Sequence, residues 1–158
     1  MNKKLPLLFA AVLVLVLSGC AAGDREEAET GFEVVAKSQS VPVQEFQNGA
    51  ELIHDEDMLM TSVEETGADI GAEDVDFEEA LLFEVSIMEN GCGYTLTSVE
   101  EDDGILKFNF ELTPVAEEGA APGDVICTEI AVPAVFYVKT GPVDFHSLEV
   151  YGSGMKYE

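Results

Sequence analysis

Few residues in this chain have types and spacing that could do chemistry, and three of them are its cysteines. Cys20 closes the run Leu17-Ser18-Gly19-Cys20, which looks like a bacterial lipobox. Small residues at 18 and 19 let a peptidase close on the backbone, and the thiol of Cys20 takes the lipid. Cys92 and Cys127 remain as an even pair, and outside the cytoplasm such a pair usually forms a disulfide. The enclosed loop is long, so the chain-entropy argument gives roughly 3–4 kcal/mol of stabilisation. The competing uses of these thiols are a metal site or a catalytic nucleophile. The cysteine spacing matches no zinc motif, and His54 and His146 stand in no H-x-x-H or H-E-x-x-H context.

Hydrolytic chemistry needs a nucleophile, a base and an oxyanion site. No serine lies in a G-x-S-x-G setting. A carboxylate pair of the glycosidase type has no distinguishing mark, because acidic residues are everywhere in the chain. The stretch Asp69 to Glu79 is acidic but lacks the D-x-[DN]-x-[DN]-G spacing of a calcium loop. Weak divalent binding and a solvated acidic connector both stay open there. The expectation is a protein with no catalytic residues, no cofactor and no dedicated metal site.

The apolar run Leu5 to Leu17, behind Lys3 and Lys4, has the length of a signal-peptide h-region and is too short to span a bilayer. Residues 1–19 are therefore expected to be a lipoprotein signal peptide. Several acyl chains on Cys20, at roughly 0.8 kcal/mol per buried CH₂, would make a stable anchor. Ala21 follows Cys20 where an Asp would mark inner-membrane retention, which resembles outer-membrane sorting in a cell with two membranes. The expected location is the cell envelope, lipid-anchored and extracytoplasmic. All 32 acidic residues, but only five of the seven basic ones, follow the signal, leaving a net charge of −27. That charge repels nucleic acid and anionic headgroups. It fits either a high-salt habitat or an acidic surface that attracts a basic partner.

These residues need elements to position them. Residues 20–31 are small, charged and without apolar periodicity, and read as a lipidated, disordered tether. Residues 32–158 read as a single domain. Phe32 to Lys37 and Val41 to Phe46 are short β-type runs, the second broken by Asn48-Gly49. Asp55 to Thr66 is the helix candidate, with Asp55 as cap, Met58, Leu59 and Val63 as its apolar stripe, and Gly67 as its stop. Ala68 to Asp76 is a connector. Strands follow: Leu81 to Met88; Gly93 to Glu100; a turn at Asp103-Gly104; and an alternating run with Leu106, Phe108, Phe110 and Leu112 inward. Pro114 to Gly123 reads as a loop. Val125 to Val132 and Ala134 to Lys139 read as two strands separated by Pro133, and Leu148 to Tyr151 as a last edge strand. The fold class is mainly β with one short helix (α+β): an antiparallel β sheet or small sandwich stapled by one disulfide.

The order of short motifs then carries a resemblance. Asp74 to Glu79 (DVDFEE), a hydrophobic strand, Gly91-Cys92-Gly93-Tyr94, Ser98-Val99-Glu100, a Gly104 turn, a Phe/Leu strand ending at Pro114, and Ala131-Val132-Pro133 before Val135 to Val138 follow one another. This resembles the C-terminal domain of the protease-complex subunit PrcB family over about Ile53 to Thr140. Cys92 departs from the small residue usual there, and the Ala116 to Ala121 segment is extended. The resemblance implies a non-catalytic lipoprotein that accompanies and stabilises a secreted or envelope protease. Asn90-Gly91-Cys92-Gly93-Tyr94 is also similar, one residue short, to the Asn-x-x-x-Gly-Tyr loop of chagasin-like protease inhibitors. A structural envelope lipoprotein is the third reading. The candidate partner-binding residues are Asn90, Gly91, Gly93 and Tyr94 in the turn and Glu101 and Asp102 in the hairpin, expected to form one recognition edge. The expected partners are the membrane, through Cys20, and a basic or neutral protein, with a protease as the implied kind; nucleic acid is excluded by charge.

Overall fold

A computed structural model describes residues 28–39, 41, 46–113, 127 and 130–157. Nine strands and one α-helix are present among them: β1 (Ala28–Glu29), β2 (Phe32–Ser38), β3 (Gly49–Ile53), α1 (Glu56–Thr66), β4 (Leu81–Glu89), β5 (Tyr94–Asp102), β6 (Ile105–Leu112), β7 (Val132–Thr140), β8 (Ser147–Gly152) and β9 (Met155–Lys156). They form two sheets, ordered β1-β5-β6-β8-β9 and β2-β7-β4-β3. The mainly β class with one short helix and one disulfide is what the structure has.

Alternation builds the sandwich. Phe83, Val85 and Ile87 of β4 and Ala134, Phe136 and Val138 of β7 face Leu96, Val99, Leu106, Phe108, Phe110 and Val150 of the other sheet. The rings interlock, Phe83 and Phe108 edge to face with centroids 5.2 Å apart and Phe110 and Phe136 tilted with centroids 4.8 Å apart. The other face of β4 and β7 is apolar too. Leu82, Val135 and Tyr137 pack there on Leu59 of α1 and on Ile70 and Val75 of the connector. Helix and connector therefore make a third layer.

Helix α1 starts and stops as its sequence dictates. Asp55 accepts a hydrogen bond from the Met58 N–H at 2.9 Å, and Gly67 adopts φ 66° with its N–H on the Val63 carbonyl. Its buried face, however, includes Ser62 and Thr66 as well as Leu59. The Tyr137 hydroxyl lies 2.5 Å from Ser62 Oγ and 2.7 Å from Thr66 Oγ1, so two polar residues fill helical core positions by bonding a buried phenol. Burial pushes the Tyr137 hydroxyl above its ordinary pKa.

Several expectations are corrected. The tether does not run to Gly31, because Ala28 and Glu29 pair with Glu101 and Glu100 of β5. Gly49 does not end a strand but begins β3, opposite Ser86. Pro133 is no break between strands: it lies inside β7, buried, opposite Met88 near the strand's end. Leu112 is exposed, since the inner sheet face ends at Phe110. β8 is not an edge strand. It lies between β6 and β9 and runs parallel to β6, because the chain crosses to the other sheet as β7 before returning. Residues 1–27, 40, 42–45, 114–126, 128–129 and 158 lie outside the described residues, and with them the signal, the lipobox, the loop 114–123, most of the expected strand at 41–46 and half of that at 125–132. Among the described residues no helix is long and apolar enough to cross a membrane.

Candidate recognition turn

Every long strand runs between two ends of the sandwich. One end carries the β4–β5 turn, Asn90 to Gly93; the other carries the β5–β6 hairpin at Asp103-Gly104. We call them the turn pole and the hairpin pole. β5 spans the nine residues Tyr94–Asp102 between them, which at a strand rise of 3.3–3.4 Å separates the poles by about 27 Å. The six candidate residues are thus split. Asn90, Gly91, Gly93 and Tyr94 stand at one pole, and Glu101 and Asp102 at the other, so they do not form one recognition edge. The edge at Glu100 and Glu101 is moreover occupied by β1.

The turn pole is held from several directions. The Asn90 side-chain oxygen accepts from the Cys92 N–H at 3.0 Å, and the Asn90 carbonyl accepts from the Gly93 N–H at 3.0 Å. Gly93 takes φ 78°, a conformation that glycine adopts without steric cost. Cys92 is bonded to Cys127, with Cα atoms 5.2 Å apart, which ties the turn to the segment leading into β7. The hydrogen bond from Thr113 N–H to the Gly93 carbonyl, 3.0 Å, fastens the turn to the end of β6.

Beneath the turn lies a group that the sequence reading missed. The Glu89 side chain has no exposed surface. One carboxylate oxygen accepts from Lys37 Nζ at 2.7 Å and from the Tyr94 N–H at 2.8 Å, and the other accepts from Gln39 Nε2 at 2.7 Å. Lys37 Nζ also stands 4.6 Å over the Phe136 ring. A buried carboxylate is tolerable only when fully paired, and this one has three donors. The only sequence signal was Glu89 ending a strand that otherwise alternates, with no hint of its partners fifty residues and more upstream.

Tyr94 is half-buried and packs on the sandwich core. Its hydroxyl meets Tyr157, whose own pKa is pushed up to about 12 by burial first and by the Tyr94 bond second. Around this pole lie the exposed side chains of Leu112, Ile130 and Met155, three of the five large exposed apolar residues among those described.

The hairpin pole combines a local turn with the docking of the segment before β8, whose His146 and Ser147 N–H groups donate to the Gly104 carbonyl. Asp103 and Gly104 both take positive φ, 54° and 80°, as a two-residue hairpin turn requires. Glu101 accepts from the Gly104 N–H at 2.6 Å, and Asp102 pairs with Lys107 at 2.7 Å. His146 lies exposed against the hairpin, with Nε2 3.1 Å from the Asp103 carbonyl. His54 is exposed beside the start of α1. An open groove of about 930 Å³ also reaches this pole, with Phe32, Phe77, Asp74, Asp76 and Lys139 among its walls. Lys139 is engaged by Glu33 at 2.6 Å. Among the described residues no group of three or more His, Cys, Asp or Glu side chains is arranged to hold a metal ion.

Comparison with protein-family models, with curated proteins and with solved structures finds no match to this chain.

Proposed function

We propose that this chain is a lipid-anchored, extracytoplasmic accessory protein that binds a protein partner through its turn pole and performs no catalysis. The observation that carries the reading is the construction of the Asn90–Gly93 turn. A glycine-rich backbone is fixed by a disulfide, an Asn-centred turn and a buried ion pair. A rigid turn loses little freedom when a partner docks, which favours binding. The small residues let a partner approach the backbone closely. The lipobox-like Leu17 to Cys20 run supports the anchor, and the Cys92–Cys127 bond supports an oxidising compartment. The likeness in motif order to the PrcB family supports an envelope protease as the kind of partner.

The test is recovery from native membranes. The full chain is captured in parallel with variants carrying Tyr94→Ala, Leu112→Ser or Asp102→Asn, each checked for folding. The expected result is a co-purifying protein lost with the first two variants and retained with Asp102→Asn. Retention in all three would place the interface elsewhere. Turnover of peptide, glycoside or ester by the purified chain would overturn the non-catalytic reading. Inhibition of a papain-type protease would favour the inhibitor reading instead.

A further inference from the structure

We propose that the hairpin pole faces the bilayer and that the turn pole is the end held furthest from it. This rests on the anchored reading of Cys20 and deepens it by assigning an orientation. The observation is the register of β1. Ala28 pairs with Glu101, at the hairpin end of β5, and Glu29 and Thr30 follow inward along Glu100 and Val99. The chain therefore enters the fold at the hairpin pole.

Eight residue steps separate Cys20 from Ala28. Fully extended, eight residue steps reach at most about 26–29 Å. With the turn pole against the membrane, Ala28 would stand about 23 Å above Tyr94, seven strand rises away. The tether would then have to be almost fully stretched. With the hairpin pole down, no such extension is needed.

Charge keeps the body off the surface. The body carries its excess of acidic residues on every layer, and an anionic leaflet repels it. The hairpin pole itself is acidic at Glu100, Glu101, Asp102, Asp103 and Asp144. Repulsion therefore leaves a gap on the order of one Debye length, about 8 Å at physiological salt, well within the reach of eight residue steps.

Two exposed positions report the orientation: Asp144, in the loop before β8 at the hairpin pole, and Met155, at the turn pole. In the lipidated protein Cys20 is capped and Cys92 is bonded to Cys127, so Asp144→Cys or Met155→Cys supplies a single thiol for a fluorophore. The protein is placed in vesicles of anionic lipid containing a headgroup acceptor, and energy transfer gives each label's height. The expected result is a label at 144 lower than one at 155 by about 17 Å or more, the five strand rises from Ile105, opposite Ser147, to Phe110, opposite Gly152 and level with Met155. A flexible insert before Ala28 should shrink that difference. Equal or reversed heights on vesicle-bound protein overturn the orientation and leave the anchor intact. Failure of the lipidated chain to float with vesicles overturns the anchor and the orientation together.

Discussion

The two poles of the sandwich are both turns between antiparallel strands, yet they are held by different physics. At the hairpin pole the carboxylate bonds are short in sequence, Glu101 to Gly104 and Asp102 to Lys107, while the distant ties run to its backbone, from the His146 and Ser147 N–H groups to the Gly104 carbonyl. At the turn pole Glu89 reaches back to Lys37 and Gln39, Cys92 reaches forward to Cys127, and Tyr94 meets Tyr157. The first pole holds its candidate carboxylates by local bonds, and its distant ties are β1 and the segment at His146 and Ser147. The second is a knot of distant segments whose rigidity depends on the whole fold. A recognition surface benefits from the second kind, because its shape is fixed before a partner arrives.

Four measurements would break or sharpen this contrast. The largest effect is expected at Glu89. Glu89→Ala strands Lys37 and the Tyr94 N–H and should cost about 3–5 kcal/mol in a urea melt. Lys37 keeps 34% of its side chain exposed, which favours the lower end of that range. A loss under about 1 kcal/mol would mean that the turn pole is held no more firmly than a surface pair.

Replacing Cys92 and Cys127 together by alanine opens a link across 35 residues. The expected destabilisation is about 3–4 kcal/mol. Thiol titration of the unreduced, denatured parent lacking Cys20 should find no free thiol; two free thiols would remove the covalent tie of the turn pole.

Asp102→Asn, at the other pole, breaks a pair whose side chains are 32% and 18% exposed. Its cost should stay within about 1 kcal/mol and shrink with salt. A cost matching that of Glu89→Ala would erase the distinction between the poles.

The smallest effect concerns alkaline pH. The folded state holds the Tyr157 proton up to about pH 12 against an ordinary value of 10.0. Its contribution is therefore full below pH 10 and fades as pH rises toward 12. Tyr157→Phe should flatten the stability profile in that range, leaving a residual slope from Tyr137, whose pKa is also raised. An unchanged slope would mean that the Tyr94–Tyr157 contact adds nothing to the turn pole.

Legibility in the sequence follows the same division. The Asp103-Gly104 turn, the Asp55 cap, the Gly67 stop and the alternation of Leu106, Phe108 and Phe110 were readable, because each is set by neighbours within a few residues. The Cys92–Cys127 pairing was readable because only two cysteines remained to pair once Cys20 was assigned to lipid. What could not be read was long-range. Ser62 and Thr66 look like surface positions until Tyr137 arrives to bond them. Ala28 and Glu29 look like tether until β5 offers them an edge. Two short motifs along one strand looked like one site, although a strand of nine residues keeps its ends apart.

The sequence by itself determined the strand-rich class, the helix with its caps, the hairpin turn and the cysteine pair, because steric preference, periodicity and solvation act residue by residue. Only the tertiary structure decided that β8 runs parallel to β6, that Glu89 is buried on Lys37 and Gln39, and that the candidate residues divide between opposite poles. Those outcomes depend on which distant segments meet, and that is set by the packing of two sheets and a helix around shared cores rather than by any local stretch of chain.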